Sequence, residues 1–272
     1  MKDPHRRTLL LSLTALGGCS SVYTPGYVLR TLTRQESGTD DFLWKKNITI
    51  PASATPLPTP PSSGGEAQAD AALARALGGE DSAAFMQRTN TKSLLVLRRD
   101  GIALQRYAEG VGPDTPQAVF SISKSVLSLL VGRALAAGML GSVDDPITLH
   151  LPELRARDPR FEAITLAHLL DMRSGIAFED DLSFPFITND APMVYYASNL
   201  RRVALSHTRI ESPPGTFNYN DYNPNLVALA LERAAGADGL SQLRATFWQE
   251  LGAEDEALWS VDDYGFPYWE SG

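Results

Sequence analysis

The sequence predicts an α+β fold, an antiparallel sheet flanked by helices, from the order of its segments. Two β-like runs, 93–99 and 102–108, are joined by Asp100-Gly101, and an Asp-Gly pair between apolar runs favours a tight hairpin. Segments with helical patterns follow as far as residue 251. Because strands come first and do not alternate with helices, we expect a hairpin at the start and a mainly helical remainder.

The helix-like segments differ in how apolar they are. They cover residues 66–77, 121–137, 164–172, 226–234 and 240–251. The segment 121–137 leaves almost no polar face, which is typical of a helix in the middle of a domain. Gly138 and Gly141 follow this segment and indicate its end.

Composition excludes several classes of function. The chain has 272 residues, 43% of them hydrophobic and 21% charged, which suits one large globular domain or two small ones. A net charge of −8 gives no electrostatic reason to bind nucleic acid. The only cysteine cannot form an internal disulfide, and the histidines show no ligand spacing, so we expect no metal site. The four histidines are His5, His150, His168 and His207.

The N-terminus has the pattern of a cleavable secretory signal. Lys2, Arg6 and Arg7 form a positive region that is followed by the apolar run 8–16. That run is too short to cross a bilayer, which needs about 20 apolar residues. The Arg6-Arg7 pair leaves open whether export uses the general or the twin-arginine route.

Cys19 stands directly after this run, behind Gly17-Gly18. Small residues before a cysteine resemble a bacterial lipobox, in which the cysteine is lipidated and becomes the mature N-terminus. An ordinary signal peptide with a chance cysteine is the alternative. We expect removal of residues 1–18 and a lipoprotein anchored to the membrane of the bacterial cell envelope, facing the periplasm or the outside.

The remaining chain is expected to divide at about residue 65. Residues 19–65 form an N-terminal extension, and its last part, 51–65, is rich in Pro, Ser and Gly. Such a segment cannot bury a core and reads as an extended tether. Residues 66–272 form the predicted globular domain.

Ser121 and Lys124 form an S-x-x-K motif at the start of the apolar helix. Residues i and i+3 share one face of a helix, so the lysine can reach the serine hydroxyl. A serine is a weak nucleophile until a base takes its proton. Lysine can be that base if its pKa is lowered, and burial is expected to do this. The alternative is that Ser121 is a helix N-cap and Lys124 is solvated.

The motifs lie in a string of further short matches. These are Phe120 to Val126, Asp144-Asp145-Pro146, Leu151-Pro152-Glu153, His168-Leu169-Leu170, Arg173-Ser174-Gly175 and Pro214 to Asp221. In order and spacing the string resembles the serine β-lactamase and penicillin-binding superfamily. This group includes class C β-lactamases, D-Ala-D-Ala carboxypeptidases, esterases and 6-aminohexanoate-dimer hydrolases. The resemblance covers residues from about 93 to 272.

The resemblance implies roles for four residues. Ser121 would be the nucleophile, Lys124 its activator and Tyr219 the catalytic tyrosine of the family's Tyr-x-Asn motif. Asp221 stands where many members carry a substrate-binding asparagine, and an ionised carboxylate cannot donate a hydrogen bond. Tyr219 as a half-buried packing residue is the alternative, and Tyr222 fits the motif less well because its distance to the following Leu pair is wrong.

The resemblance also implies what should follow. The family's third motif, Lys or His followed by Ser/Thr-Gly on a C-terminal strand, has no match here. We therefore expect the C-terminal strands to be missing and the sheet to keep only its N-terminal hairpin. We expect a cofactor-independent serine hydrolase that acts on a small-molecule or peptide-like ester or amide, closest to the 6-aminohexanoate-dimer hydrolase and esterase branch. The alternatives are a non-catalytic penicillin-binding envelope lipoprotein and an inactive truncated remnant.

Overall fold

A computed structural model of the chain describes residues 22–34, 44–58, 60–62, 64–99, 101–181 and 186–271. Cys19 and the predicted signal segment lie outside the described residues. The chain divides into two compact units, one of Leu57–Gln117 and the other of the residues up to Pro56 together with those from Ala118.

The described residues form helices and two pairs of strands. In chain order the elements are α1 (Pro25–Thr33), β1 (Lys46–Ile50), α2 (Glu66–Ala76), α3 (Ser82–Thr89), β2 (Ser93–Arg98), β3 (Gly101–Tyr107), α4 (Ile122–Ala136), α5 (Pro152–Arg157), α6 (Leu166–Leu170), α7 (Asp190–Tyr195), α8 (Leu200–His207), α9 (Tyr222–Ala235), α10 (Ala237–Glu250) and β4 (Ala257–Val261). Three short 3₁₀ helices cover Ile147–Leu149, Pro159–Ala163 and Phe186–Thr188. The predicted α+β class is confirmed. Among the described helices, none is both long and apolar enough to cross a membrane.

The small unit contains the predicted hairpin. Strands β2 and β3 pair antiparallel, with Ser93 opposite Tyr107. Arg106 of β3 binds the carboxylate of Asp70 in α2 at 3.1 Å and also contacts the Ser82 hydroxyl at the start of α3. One guanidinium therefore ties both helices of this unit to its sheet.

The large unit contains a second sheet that the sequence did not predict. Strand β1 pairs antiparallel with β4, from Lys46 opposite Val261 to Ile50 opposite Ala257. The sheet that contains the hairpin keeps only β2 and β3, as expected, and β1 and β4 form a separate sheet. Both strands are only five residues long, and they lie about 200 residues apart, so neither carries a local signal of its partner.

Helix α9 is the centre of the large unit. Its residues from Tyr222 to Leu231 are all buried, and α4, α6, α8 and α10 pack against it. Helix α4, expected in the middle, buries one face that includes Leu127 and Leu130, while Ile122 and Leu129 are 59% and 55% exposed. Because α4 is apolar on all sides, its sequence does not show which face packs against the other helices.

Candidate active site

Ser121 stands at the turn into α4. The residue before it, Phe120, has a φ of +45°, a left-handed backbone that costs a non-glycine residue roughly 1–3 kcal/mol. Ser121 occupies the N-cap position, yet its side chain makes no capping hydrogen bond. Its hydroxyl instead accepts a hydrogen bond from Lys124 Nζ at 2.9 Å. The geometry therefore favours the paired arrangement over the N-cap alternative.

Lys124 Nζ has three oxygen neighbours. It donates to Ser121 Oγ at 2.9 Å and to the backbone carbonyl of Glu270 at 2.8 Å. It also lies 2.9 Å from Asp221 Oδ1, where the contact is an ion pair whose angles fall outside hydrogen-bond geometry. Two hydrogen-bond acceptors and one carboxylate therefore surround this nitrogen.

The charge of Lys124 departs from the expectation. Burial lowers the pKa of this lysine, as predicted, but the Asp221 carboxylate and the Tyr219 hydroxyl outweigh burial, so that its pKa is raised above the ordinary value. The expected lowered pKa is therefore wrong. Together the Asp221 carboxylate and the Tyr219 hydroxyl stabilise the ammonium form more than loss of water destabilises it.

Tyr219 reaches the same hydroxyl from the other side. Its OH group donates to Ser121 Oγ at 2.8 Å, and Lys124 Nζ lies 5.1 Å from its ring centroid. Tyr219 is 47% exposed, which fits the half-buried position of the packing alternative, but its hydroxyl also contacts Ser121, which packing alone does not require. Tyr222 points elsewhere, because its buried hydroxyl donates to Asp190 at 2.6 Å.

Tyr219 belongs to a loop without regular structure that is held by backbone pairing to another loop. Gly215 N donates to the Arg173 carbonyl and Asn218 N donates to the Met172 carbonyl, both at 2.8 Å. Ser212 N donates to the Gly175 carbonyl at 3.2 Å.

The side chain of Asn220, between the two motif residues, extends this pairing. Asn220 is fully buried and donates to the Ile176 carbonyl at 2.8 Å, while it accepts from Tyr222 N at 2.9 Å. The side chain of Asn220, next to Tyr219, thus holds the Tyr219 loop against the loop that contains Ile176.

Asp221 was predicted to contact substrate. Its side chain is 25% exposed and pairs with Lys124, so in this structure its carboxylate serves the lysine. A substrate contact by Asp221 stays a prediction.

The sequence did not indicate Glu270. Ser123 Oγ donates to the Trp269 carbonyl at 2.9 Å, and Lys124 Nζ donates to the Glu270 carbonyl, so this segment lies along the first turn of α4. The Glu270 carboxylate is buried and accepts from Asn225 Nδ2 at 3.1 Å. Asn225 stands four residues after Asp221, on one face of α9. In the sequence, this spacing was the only indication that Asn225 lies near the site.

The charge of Glu270 depends on its buried position. The pKa of Glu270 is raised to about 7, mainly because the carboxyl group is buried; Lys45 and Lys124 lower this pKa, whereas Asp221 raises it. Lys45 itself is 8% exposed. Two carboxylates, of Asp221 and Glu270, and two lysines, Lys45 and Lys124, therefore interact electrostatically beside the Ser121 hydroxyl.

An open cleft of about 630 Å³ lies beside the Tyr219 loop. It is lined by Ala167, His168, Asp171, Arg173, Gly215 and Phe217. Its lining offers a phenyl ring, an imidazole and charges of both signs, a chemistry that suits an amphipathic small molecule.

Comparison with known proteins places most of the chain in one family. A sequence model described as Beta-lactamase matches residues 72–270. Over 195 residues the chain is 26% identical to a 6-aminohexanoate-dimer hydrolase from Paenarthrobacter ureafaciens, which covers 69% of this chain and 49% of that protein.

A second relative is esterase EstB from Burkholderia gladioli, 26% identical over 226 residues, with 73% of this chain and 55% of the esterase covered. The chain thus spans about half the length of these curated relatives. A solved structure of a candidate 6-aminohexanoate-dimer hydrolase from Bacillus anthracis superposes with a TM-score of 0.67 at 16% identity. That match covers 84% of this chain and 62% of the other, and at this identity it shows the fold alone.

Proposed function

The chain belongs to the beta-lactamase family, as its motifs predicted, and on that premise we propose that it is a serine hydrolase that forms an acyl-enzyme on Ser121. The observation that carries this proposal is the convergence of two proton-carrying groups on one hydroxyl. Lys124 Nζ at 2.9 Å and Tyr219 OH at 2.8 Å both donate to Ser121 Oγ. A serine that is only structural needs neither partner.

The proposed reaction is acyl transfer in two steps. Ser121 Oγ bonds to the carbonyl carbon of an ester or amide, its proton passes to Lys124 in the neutral form, and the leaving alcohol or amine takes up a proton by way of Tyr219. Water then adds to the acyl-enzyme and releases the acid. The backbone N–H of Ser121 is the proposed oxyanion donor.

For the substrate, we favour an ester or a linear amide over a β-lactam. The two curated relatives are named as a 6-aminohexanoate-dimer hydrolase and an esterase. The cleft beside Tyr219, with Asp171, Arg173 and Phe217 in its lining, would receive a short chain that ends in a charged group.

A non-catalytic penicillin-binding protein is the second candidate, and the charge of Lys124 favours it. The raised pKa of Lys124 keeps the ammonium form at neutral pH, and an ammonium cannot accept the proton of Ser121 or activate water. Such a site would acylate slowly and release its acyl group more slowly still.

The test is a panel of p-nitrophenyl esters, nitrocefin and short linear amides, combined with intact-mass analysis of the protein. We expect hydrolysis of esters or amides, a transient acyl adduct on Ser121, and loss of both in Ser121→Ala. The neighbouring exposed Ser125→Ala is the matched control and should keep full activity. Turnover that survives in Ser121→Ala would contradict the hydrolase mechanism, whereas a stable penicillin adduct without turnover would favour the second candidate.

We also propose that Cys19 carries a lipid anchor that holds the exported protein on the envelope membrane. The support is the position of the single cysteine after Gly17-Gly18. In cells of the source organism, wild type should sediment with membranes, and Cys19→Ser should move to the soluble exported fraction. Equal membrane retention of the two forms would contradict the anchor.

A further inference from the structure

Lys45 lies outside the residues that match the family but reaches the candidate site. It stands immediately before β1, and the family match begins at residue 72. Its Nζ sits 3.8 Å from the ring centroid of Tyr195 and 4.1 Å from that of Tyr268, a position that favours a cation. The pairing of β1 with β4 fixes this lysine in place.

A chain of hydrogen bonds leads from Lys45 to the nucleophile. Lys45 Nζ donates to Ser271 Oγ at 3.2 Å, and that hydroxyl donates to Glu270 Oε1 at 3.4 Å. Asn225 Nδ2 holds the other carboxylate oxygen, Oε2, at 3.1 Å. The backbone carbonyl of the same Glu270 then accepts from Lys124 Nζ at 2.8 Å and from Ser121 Oγ at 3.3 Å.

Resting on the proposed hydrolase function, we propose that Lys45 and Glu270 form a buried pair of opposite charges, bridged by the Ser271 hydroxyl, that positions the Glu270 carbonyl against Lys124 and Ser121. By this pair a segment that precedes the family-matched residues becomes part of the active site. Both residues are positioning residues, because they act on Ser121 through the peptide carbonyl of Glu270.

The pair makes a distinct prediction for pH. Among the described residues, the ionisable groups that face Glu270 are Lys45, Lys124, Asp221 and Tyr268. Burial raises the pKa of Glu270 to about 7 and Lys45 opposes that rise. As pH falls through this value Glu270 takes up a proton, Lys45 loses its countercharge, and the carbonyl is no longer held. We therefore expect acylation of Ser121 to fall below about pH 7.

The test measures acylation of Ser121 by p-nitrophenyl acetate from pH 5 to 10, with kcat and KM for wild type and variants. In Lys45→Met the lysine no longer lowers the pKa of Glu270, so the fall in rate on the acid side, the acid limb, should move to higher pH. At neutral pH kcat should fall roughly tenfold, while KM should stay within about twofold of wild type. Lys45→Arg should return the limb toward its wild-type position. In Glu270→Gln the limb near pH 7 should vanish, and the rate should stay near the acidic level of wild type.

Lys46→Met is the matched control, because Lys46 is the next residue and is exposed, and its profile should equal that of wild type. If Lys45→Met melts below the assay temperature, Glu270→Gln decides. If the inflection near pH 7 persists in Glu270→Gln, the proposed pair is overturned even when Ser121 is acylated normally. Failure of wild type to acylate Ser121 at any pH instead overturns the proposed function, and the pair with it.

Discussion

The candidate site has two halves that differ in local structure. The helix half consists of Ser121 and Lys124, and the loop half consists of Tyr219 and Asp221. The first pair sits on the opening turn of α4, where helix geometry alone places residues three apart on one face. The second pair sits on a loop whose place depends on backbone contacts with residues 172–176. The helix half therefore tolerates changes around it, whereas the loop half depends on a close approach of two backbones.

Gly175→Ala should have the largest effect on stability and activity, because it disturbs the backbone contact that places the loop half. Gly175 has a φ of +73°, and a Cβ at this position would lie 2.1 Å from the Ser212 carbonyl oxygen. We expect the free energy of unfolding to fall by about 3 kcal/mol or more, measured by urea denaturation, and ester hydrolysis to fall with it.

Gly132→Ala tests the helix half in the same way. No atom lies within 4 Å of a Cβ added at Gly132 in α4, and alanine raises helix stability by about 0.5–1 kcal/mol relative to glycine. We expect a small gain in stability with unchanged activity. Equal effects of the two substitutions would mean that the two halves do not differ as described.

Tyr219→Phe should have the next largest effect, on rate alone. The substitution removes one hydroxyl from a ring that is 47% exposed, so stability should change little. Loss of the proton carrier at Ser121 should lower kcat/KM by roughly 10²-fold. Tyr264→Phe, at a tyrosine that is 68% exposed, is the control; a Tyr219→Phe rate within a few-fold of wild type would remove Tyr219 from the mechanism.

Asp221→Asn should have a smaller effect than Tyr219→Phe, and it should change the pH profile of the rate. Burial lowers the pKa of Lys124 and Asp221 raises it, so loss of the carboxylate lets burial dominate and the pKa falls. If neutral Lys124 is the base, the alkaline rise in rate moves to lower pH, and each unit of that movement raises the rate on the slope about tenfold.

Asp144→Asn, at an exposed carboxylate, is the control for this shift and should leave the profile unchanged. If the profile of Asp221→Asn is also unchanged, Lys124 acts as a fixed cation and not as the base. Asp221 would then connect the two halves through its ion pair with Lys124 without changing the rate through the pKa of that lysine.

Sequence patterns predicted the features that depend on residues close together in the chain. The Asp-Gly pair predicted the hairpin of β2 and β3, and the S-x-x-K spacing predicted the 2.9 Å contact between Lys124 and Ser121. The pKa of Lys124 could not be predicted in the same way, because its sign depends on where the Asp221 carboxylate points. Glu270 and Lys45 were missed for a related reason: their places depend on the pairing of β1 with β4, which no local pattern encodes.

The pairing of β1 with β4 also has a consequence for how the molecule is made. Its two strands lie about 200 residues apart, and a ribosome adds about 5–20 residues per second. Strand β1 must therefore wait roughly 10–40 s for its partner to be synthesised. During that interval Lys45 has no aromatic ring of Tyr268 and no Ser271 hydroxyl to contact. The contacts of Lys45 with Tyr268 and Ser271, and of Lys124 with the Glu270 carbonyl, therefore cannot form until synthesis has passed residue 271.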